Sequence, residues 1–397
     1  MENLSLYIHI PFCVRKCLYC DFLSGPQSAG VQEQYVEALC REIEETSPEY
    51  REFQVVSVFI GGGTPSVLSP EQTERIMKTV KSCFLLTGDC EISMEMNPGT
   101  VTAEKMQTYR DCGINRISIG LQSAQNQELK ALGRIHTYED FLKVYEMAVD
   151  AGFMNINVDL MSAIPEQTLE TYEDTLQKVL SLKPQPAHIS AYSLIVEEGT
   201  PFYEHTPILP DEETERRMYE ITDDILRKAG YHRYEISNYA KDGMECFHNK
   251  VYWQRGNYLG LGIGSASLIR NVRFHNVLDI ESYVNLLMNE QEIQILSKEE
   301  QMEEFMFLGL RMMQGVSERK FFECFGKHFE EVFPGVIGKH ERLGLLEVMP
   351  EDPVPQEIQE SPSKSGAESG EKFVRVKLTP HGIDVSNQVF ADFLLTC

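Results

Sequence analysis

Positive charge is scarce in this chain of 397 residues. Lys and Arg number 36 against 61 Asp and Glu, a formal net charge of −25. A field of that sign repels phosphate backbones and anionic lipid, so nucleic acid is not an expected partner, and membrane contact stays open only as peripheral contact through an acceptor protein. No apolar run reaches the ~18 residues needed to span a bilayer. The opening residues also lack the basic stretch, apolar run and cleavage site of a secretory leader, so the expectation is a cytoplasmic protein. A disulfide framework is missing too. Of ten cysteines, three crowd into one short loop and the others (Cys40, Cys83, Cys90, Cys112, Cys246, Cys324, Cys397) are scattered, which agrees with a reducing compartment. Tryptophan is nearly absent, with a single copy at Trp253.

What is present begins at the N-terminus. Leu6-Tyr7-Ile8-His9-Ile10 alternates like a strand, Pro11 ends it, and Cys13, Cys17 and Cys20 follow on what reads as a tight loop. Three thiols converging on one centre point to a metal cage. A structural zinc site takes four protein ligands and keeps no position open. An electron-carrying cubane uses one cysteine per iron. Three local cysteines leave one iron without a protein ligand, free to bind a substrate or cofactor; a zinc knuckle or an unliganded loop is the alternative.

Strand-like runs recur, each followed by a helical stretch: Leu4–Ile10, Val55–Ile60, Glu91–Met96, Arg116–Leu121, Asn155–Met161 and His188–Leu194. Alternation of this kind predicts an α/β fold with a parallel sheet, here a partial (β/α)6 barrel. In such barrels chemistry gathers at the C-terminal ends of the strands. Polar or glycine-rich residues follow each of the six: the three cysteines, Gly61-Gly62-Gly63-Thr64, Glu95 with Asn97, Gln122 with Arg134 further on, Asp159, and Tyr192. Consecutive glycines admit a ligand close to the backbone. Each carboxylate and the arginine also has an ordinary reading as a cap or ion-pair partner, but jointly they suit a nucleoside ligand, with Arg134 able to hold a carboxylate bidentately.

CxxxCxxC with an aromatic before the last cysteine resembles the signature of the radical S-adenosylmethionine (SAM) enzymes. That resemblance implies a 4Fe-4S cluster on Cys13, Cys17 and Cys20, SAM chelated at the bare iron and cleaved to a 5′-deoxyadenosyl radical, and an electron donor such as flavodoxin or ferredoxin. It implies SAM contacts by Tyr7, Gly62, Gly63, Thr64, Glu95, Gln122, Arg134 and Asp159. Within that superfamily, SLYIHIPFC, GGGTPS, MEMNPGT, IGLQS, LGR, HNKVYW and LTPHG resemble the HemN/HemW branch across nearly the whole chain.

His248-Asn249-Lys250-Val251-Tyr252-Trp253 places a candidate iron ligand near flat aromatic residues, as a porphyrin needs, although a lone histidine is also commonly a hydrogen-bonded structural residue. The branch attributes heme binding to this motif, which makes His248 the heme candidate; a histidine usual further on in the branch is Ala266 here. Oxygen-independent coproporphyrinogen III oxidases carry a further cysteine where this chain has Phe22, and a longer N-terminal extension. Both differences favour a heme chaperone that passes heme to an acceptor hemoprotein. The oxidase, an enzyme making protoporphyrinogen by radical decarboxylation, is the alternative. The expected organisation is a barrel over 1–230, an accessory segment over 231–295 and a helical, winged-helix-like domain over 296–397. Helices are expected at Glu281–Gln294, Ser297–Met313 and Gly382–Leu395, and a disordered insertion rich in Pro, Ser, Gly and Glu at Pro350–Lys372.

Overall fold

The computed structural model describes residues 1–285, 291–351 and 372–395. Six parallel strands run side by side in chain order: β1 (Glu2–Ile10), β2 (Phe53–Gly62), β3 (Leu86–Met96), β4 (Arg116–Gln122), β5 (Asn155–Ser162) and β6 (His188–Ser193). One face of the strands is apolar and packs against helices, while the other carries buried polar residues such as Ser5, Ser57, Ser93, Ser118 and Asn157. Leu4, Leu6, Ile8 and Ile10 are fully buried in β1, and every residue of β4 is buried. The covering helices are α1 (Ala29–Thr46), α2 (Pro70–Cys83), α3 (Ala103–Asp111), α4 (Asn126–Ala131), α5 (Tyr138–Asp150) and α6 (Leu169–Leu180).

Each long helix starts where a side chain can take up an orphan backbone N–H. Ser28 accepts from Val31, while Ser69 with Gln72, Thr137 with Asp140 and Thr168 with Thr171 form capping boxes. In α2 the buried face is Ile76, Met77 and Val80, and truncating any one to alanine costs about 2–5 kcal/mol for the larger side chains.

Beyond β6 come α7 (Pro201–Glu204) and α8 (Glu212–Lys228), then β7 (His232–Glu235) and β8 (Asn238–Ala240), with β8 antiparallel to β6. The segment after helix α9 (Phe247–Trp253) returns to the other side of the sheet. There β9 (Tyr258–Leu261) pairs parallel with β1, followed by β10 (Ala266–Ile269), β11 (Val272–His275) and, after helix α10 (Ile280–Val284), β12 (Gln291–Ile295). The sheet therefore has twelve strands, with β12 and β7 at its edges.

Two sequence expectations are corrected. Glu281–Gln294 is not one helix: the helix is Ile280–Val284, and the Gln-Glu-Ile-Gln-Ile alternation of Gln291–Ile295 joins the sheet beside β11. The expected helix Gly382–Leu395 is two, Pro380–Asp384 and Ser386–Ala391, broken at Val385, whose φ of −117° is not helical.

Contacts divide the chain into two units, the first comprising Met1–Arg233, Ser237–Val251 and Gly256–Gln294, the second Tyr234–Ile236, Tyr252–Arg255 and the chain from Ile295 onward. The second unit contains helices Lys298–Gly309, Glu318–Phe325 and Val336–Arg342 and a small antiparallel sheet of β13 (Val316–Ser317), β14 (Leu346–Pro350) and β15 (Val374–Leu378) in the order β13-β15-β14. Phenylalanines fill its core, with Phe321 against Phe305, Phe325, Phe329 and Phe333 at ring separations of 4.8–6.2 Å. Nearly all of the expected insertion, residues 352–371, lies outside the described residues.

Candidate metal and cofactor site

The strand ends of the first unit converge on a pocket of about 370 Å³. Every site residue named from the sequence lines it except Tyr7 and His248. The cysteine loop is closed at its base by backbone bonds, Cys13 N–H to Gly25 O and Gly25 N–H to Pro11 O, both 3.0 Å. It is tied down further out as well. Leu18 N–H donates to Leu132 O at 3.1 Å, the Arg15 guanidinium donates to Gly133 O and Arg134 O, and Lys16 Nζ donates to Phe22 O at 2.9 Å.

The glycine loop after β2 lies directly against this one. Gly63 N–H donates to Ile10 O at 2.9 Å and Thr64 N–H to Phe12 O at 2.7 Å. Glycine is required here for two separate reasons. Gly62 has φ +107°, and a Cβ on it would stand 2.5 Å from the His9 ring; a Cβ on Gly63 would stand 2.8 Å from Phe12 O.

Side chains reach the thiols from two other loops. Thr64 Oγ1 donates to Cys13 Sγ at 3.5 Å, and Arg134 Nη1 to Cys17 Sγ at 3.8 Å. Arg134 also donates through Nη2 to Gly120 O at 2.7 Å, while its Nε is buried with no hydrogen-bond partner. Gln122 sits at a register shift in β4 with φ +70°, a strained conformation for a non-glycine residue, and its Oε1 accepts from Tyr192 at 3.1 Å.

Two carboxylates lie deeper. Glu95 Oε2 accepts from Gly62 N–H at 3.1 Å, and burial together with the charge of Asp159 pushes the Glu95 carboxyl up to about 8. Burial raises Asp159 too, opposed by hydrogen bonds from Ser118 at 2.9 Å and Asn157 at 2.7 Å. Tyr7 is just outside the lining: its hydroxyl is 3.0 Å from His9 Nδ1, and it senses the charge of Glu95.

Among the described residues no three His, Cys, Asp or Glu side chains converge closely enough to hold one metal ion. A cubane fits the donor set, because it binds one thiolate at each iron and so needs its sulfurs farther apart than one ion does.

His248 stands elsewhere. Its ring is 1% exposed, with Nδ1 2.9 Å from Ser57 Oγ, and Ser57 in turn donates to Ser5 Oγ at 2.7 Å. Phe59 stacks on it at 5.1 Å. Burial pulls the imidazole down to about 3. The Glu91 carboxylate accepts from the backbone N–H groups of Phe247 and His248, both at 3.1 Å, and so caps α9. Sequence reasoning found His248 by its motif and missed Ser5, Ser57 and Glu91, which have no local signal. It also missed Arg15, Lys16, Met161 and Ile195 on the pocket lining. In the second unit, Trp253 carries the Arg311 guanidinium over its ring at 4.3 Å.

Residues 7–179 match the model of the radical SAM superfamily, and residues 296–350 match that of the HemN C-terminal domain. The heme chaperone HemW of Lactococcus lactis is 35% identical over 397 residues, covering 98% of this chain and 97% of the relative. The chain belongs to the HemW family of radical SAM proteins. HemW of Bacillus subtilis is 38% identical over 86% of this chain and 92% of its own length, and HemW of Escherichia coli 41% identical over 67% and 70%. The coproporphyrinogen III oxidase HemN of Escherichia coli, a solved structure, superposes with a TM-score of 0.83 over 100% of this chain and 91% of that one; at 22% identity this establishes the shared fold. Radical SAM membership implies a 4Fe-4S cluster and SAM. No helix among the described residues is long and apolar enough to cross a membrane.

Proposed function

We propose that this protein is a heme chaperone, binding heme and passing it to an acceptor hemoprotein in the cytoplasm, with the cluster and SAM serving that transfer. The observation that carries the reading is the 35% identity to a heme chaperone over 98% of the chain. In this reading Cys13, Cys17 and Cys20 hold the cluster, and an electron donor such as flavodoxin or ferredoxin supplies it. Gly62, Gly63 and Thr64 lie along the methionine part of SAM. Glu95 and Asp159 accept from the ribose hydroxyls, Gln122 and Tyr7 stand beside them, and the unpartnered Nε of Arg134 supports a role for that residue in binding the SAM carboxylate.

His248 is the proposed heme ligand. With its ring 1% exposed, it must leave its seat against Phe59 and Ser57 to reach iron, so heme binding is coupled to movement of the start of α9. Phe22, 59% exposed at the pocket, stands where the oxidases carry their further cysteine. The test is anaerobic reconstitution followed by heme titration, an assay for 5′-deoxyadenosine and incubation with coproporphyrinogen III. A heme absorbance change without protoporphyrinogen formation is expected, and reduced by His248→Ala. Turnover of coproporphyrinogen, or no heme response at all, would overturn the reading.

A further inference from the structure

We propose that Thr64 and Arg134 set the reduction potential of the cluster, each by donating a hydrogen bond to one of its cysteine sulfurs. The inference rests on the reading of Cys13, Cys17 and Cys20 as cluster ligands and adds a task to two side chains otherwise assigned to SAM.

The geometry that points to it is already in place on the loop. Thr64 Oγ1 donates to Cys13 Sγ at 3.5 Å and Arg134 Nη1 to Cys17 Sγ at 3.8 Å. Both donors are fixed by backbone bonds independent of the thiols: Thr64 N–H to Phe12 O at 2.7 Å, Arg134 N–H to Leu129 O at 2.9 Å, and Arg134 Nη2 to Gly120 O at 2.7 Å. Thr64 is 8% exposed, so water competes little for its hydroxyl.

Adding an electron to a thiolate-bound cluster increases the negative charge on its sulfurs. Donors aimed at those sulfurs stabilise the reduced form and raise the potential. A guanidinium does so more strongly than a hydroxyl, because it brings a full charge as well as a hydrogen bond. The two contacts thus predict an ordered series, with Arg134 the larger contributor, Thr64 the smaller, and the hydroxyl, not the methyl, responsible at position 64.

The experiment is an EPR-monitored redox titration of anaerobically reconstituted protein without SAM. It compares wild type, Thr64→Val, Thr64→Ser and Arg134→Gln, each first checked for iron and sulfide content. The expected result is a lower midpoint in Thr64→Val, recovery in Thr64→Ser, and a larger fall in Arg134→Gln that reduces the reduced-to-oxidised ratio at fixed solution potential about tenfold, equivalent to about 59 mV for one electron. Iron–sulfur stretching bands should stiffen in the same order. Intact clusters with unchanged midpoints would overturn the proposal while leaving the cluster assignment standing. Loss of the cluster in Thr64→Val but not Thr64→Ser would overturn it as well, by assigning the hydroxyl to retention instead of tuning. Wild-type protein that takes up no cluster would sink the underlying reading and the proposal with it.

Discussion

The strand-end pocket and the His248 enclosure both lie within the first unit and both carry family-like motifs, but they differ in how their polar groups are satisfied. The pocket keeps surplus capacity: an arginine Nε without a partner, and two carboxyls raised by burial, Glu95 also by the charge of Asp159. Around His248 the same types of group are enclosed. Its imidazole has a hydroxyl neighbour and an aromatic face, and the helix that carries it is capped by Glu91. A motif therefore locates chemistry without saying whether the site is poised for a ligand. Unspent hydrogen-bonding capacity makes that distinction.

The sharpest separation comes from the cysteines. Cys13→Ala, Cys17→Ala or Cys20→Ala should abolish cluster absorbance near 400 nm after reconstitution, whereas His248→Ala should leave it intact. Cluster loss in His248→Ala would break the contrast.

The next effect is a pair of opposite pH dependences. Glu95 in the folded chain holds a proton up to about 8, against an ordinary 4.5. The unfolded chain releases that proton first, so this contribution is full below about 4.5 and drains away as pH rises to about 8. At about 1.4 kcal/mol per pH unit the change amounts to roughly 5 kcal/mol, and Glu95→Gln should flatten it in denaturant titrations of the cluster-free protein. For His248 the sign reverses. Its folded value of about 3 lies below the ordinary 6.5, so its contribution is full above about 6.5 and is lost as pH falls toward 3. Matching slopes in wild type and Glu95→Gln would contradict the raised carboxyl.

His248→Ala should destabilise the fold by about 3 kcal/mol at neutral pH, as expected for a cavity left by a buried ring. Ser57→Ala should cost about 1 kcal/mol, the value of one hydrogen bond, and is the smallest of the effects. A neutral result for both would mean that the enclosure is looser than its burial implies.

The parallel core was legible because β1 to β6 each carry an apolar face and are bounded by helices with clear caps. The pocket was legible for a related reason: polar residues at consecutive strand ends have no apolar surface to pack against and so stand out. The strands β9 to β11 escaped notice because each is only four residues long and a glycine interrupts the first, leaving no periodicity to read. Gln291–Ile295 was absorbed into a helical pattern because leucines and a methionine just before it continue a helix-like spacing. The partners of His248 were illegible since Ser57 lies 191 residues away in sequence, a separation only the folded sheet can close.

The latch between Pro11, Cys13 and Gly25 has a kinetic corollary. Because backbone bonds of the chain itself close the base of the ligand loop, that closure is expected to need no metal. A scaffold delivering iron and sulfide meets a moulded receptacle, so limited proteolysis around residues 13–24 should proceed at the same rate before and after loading.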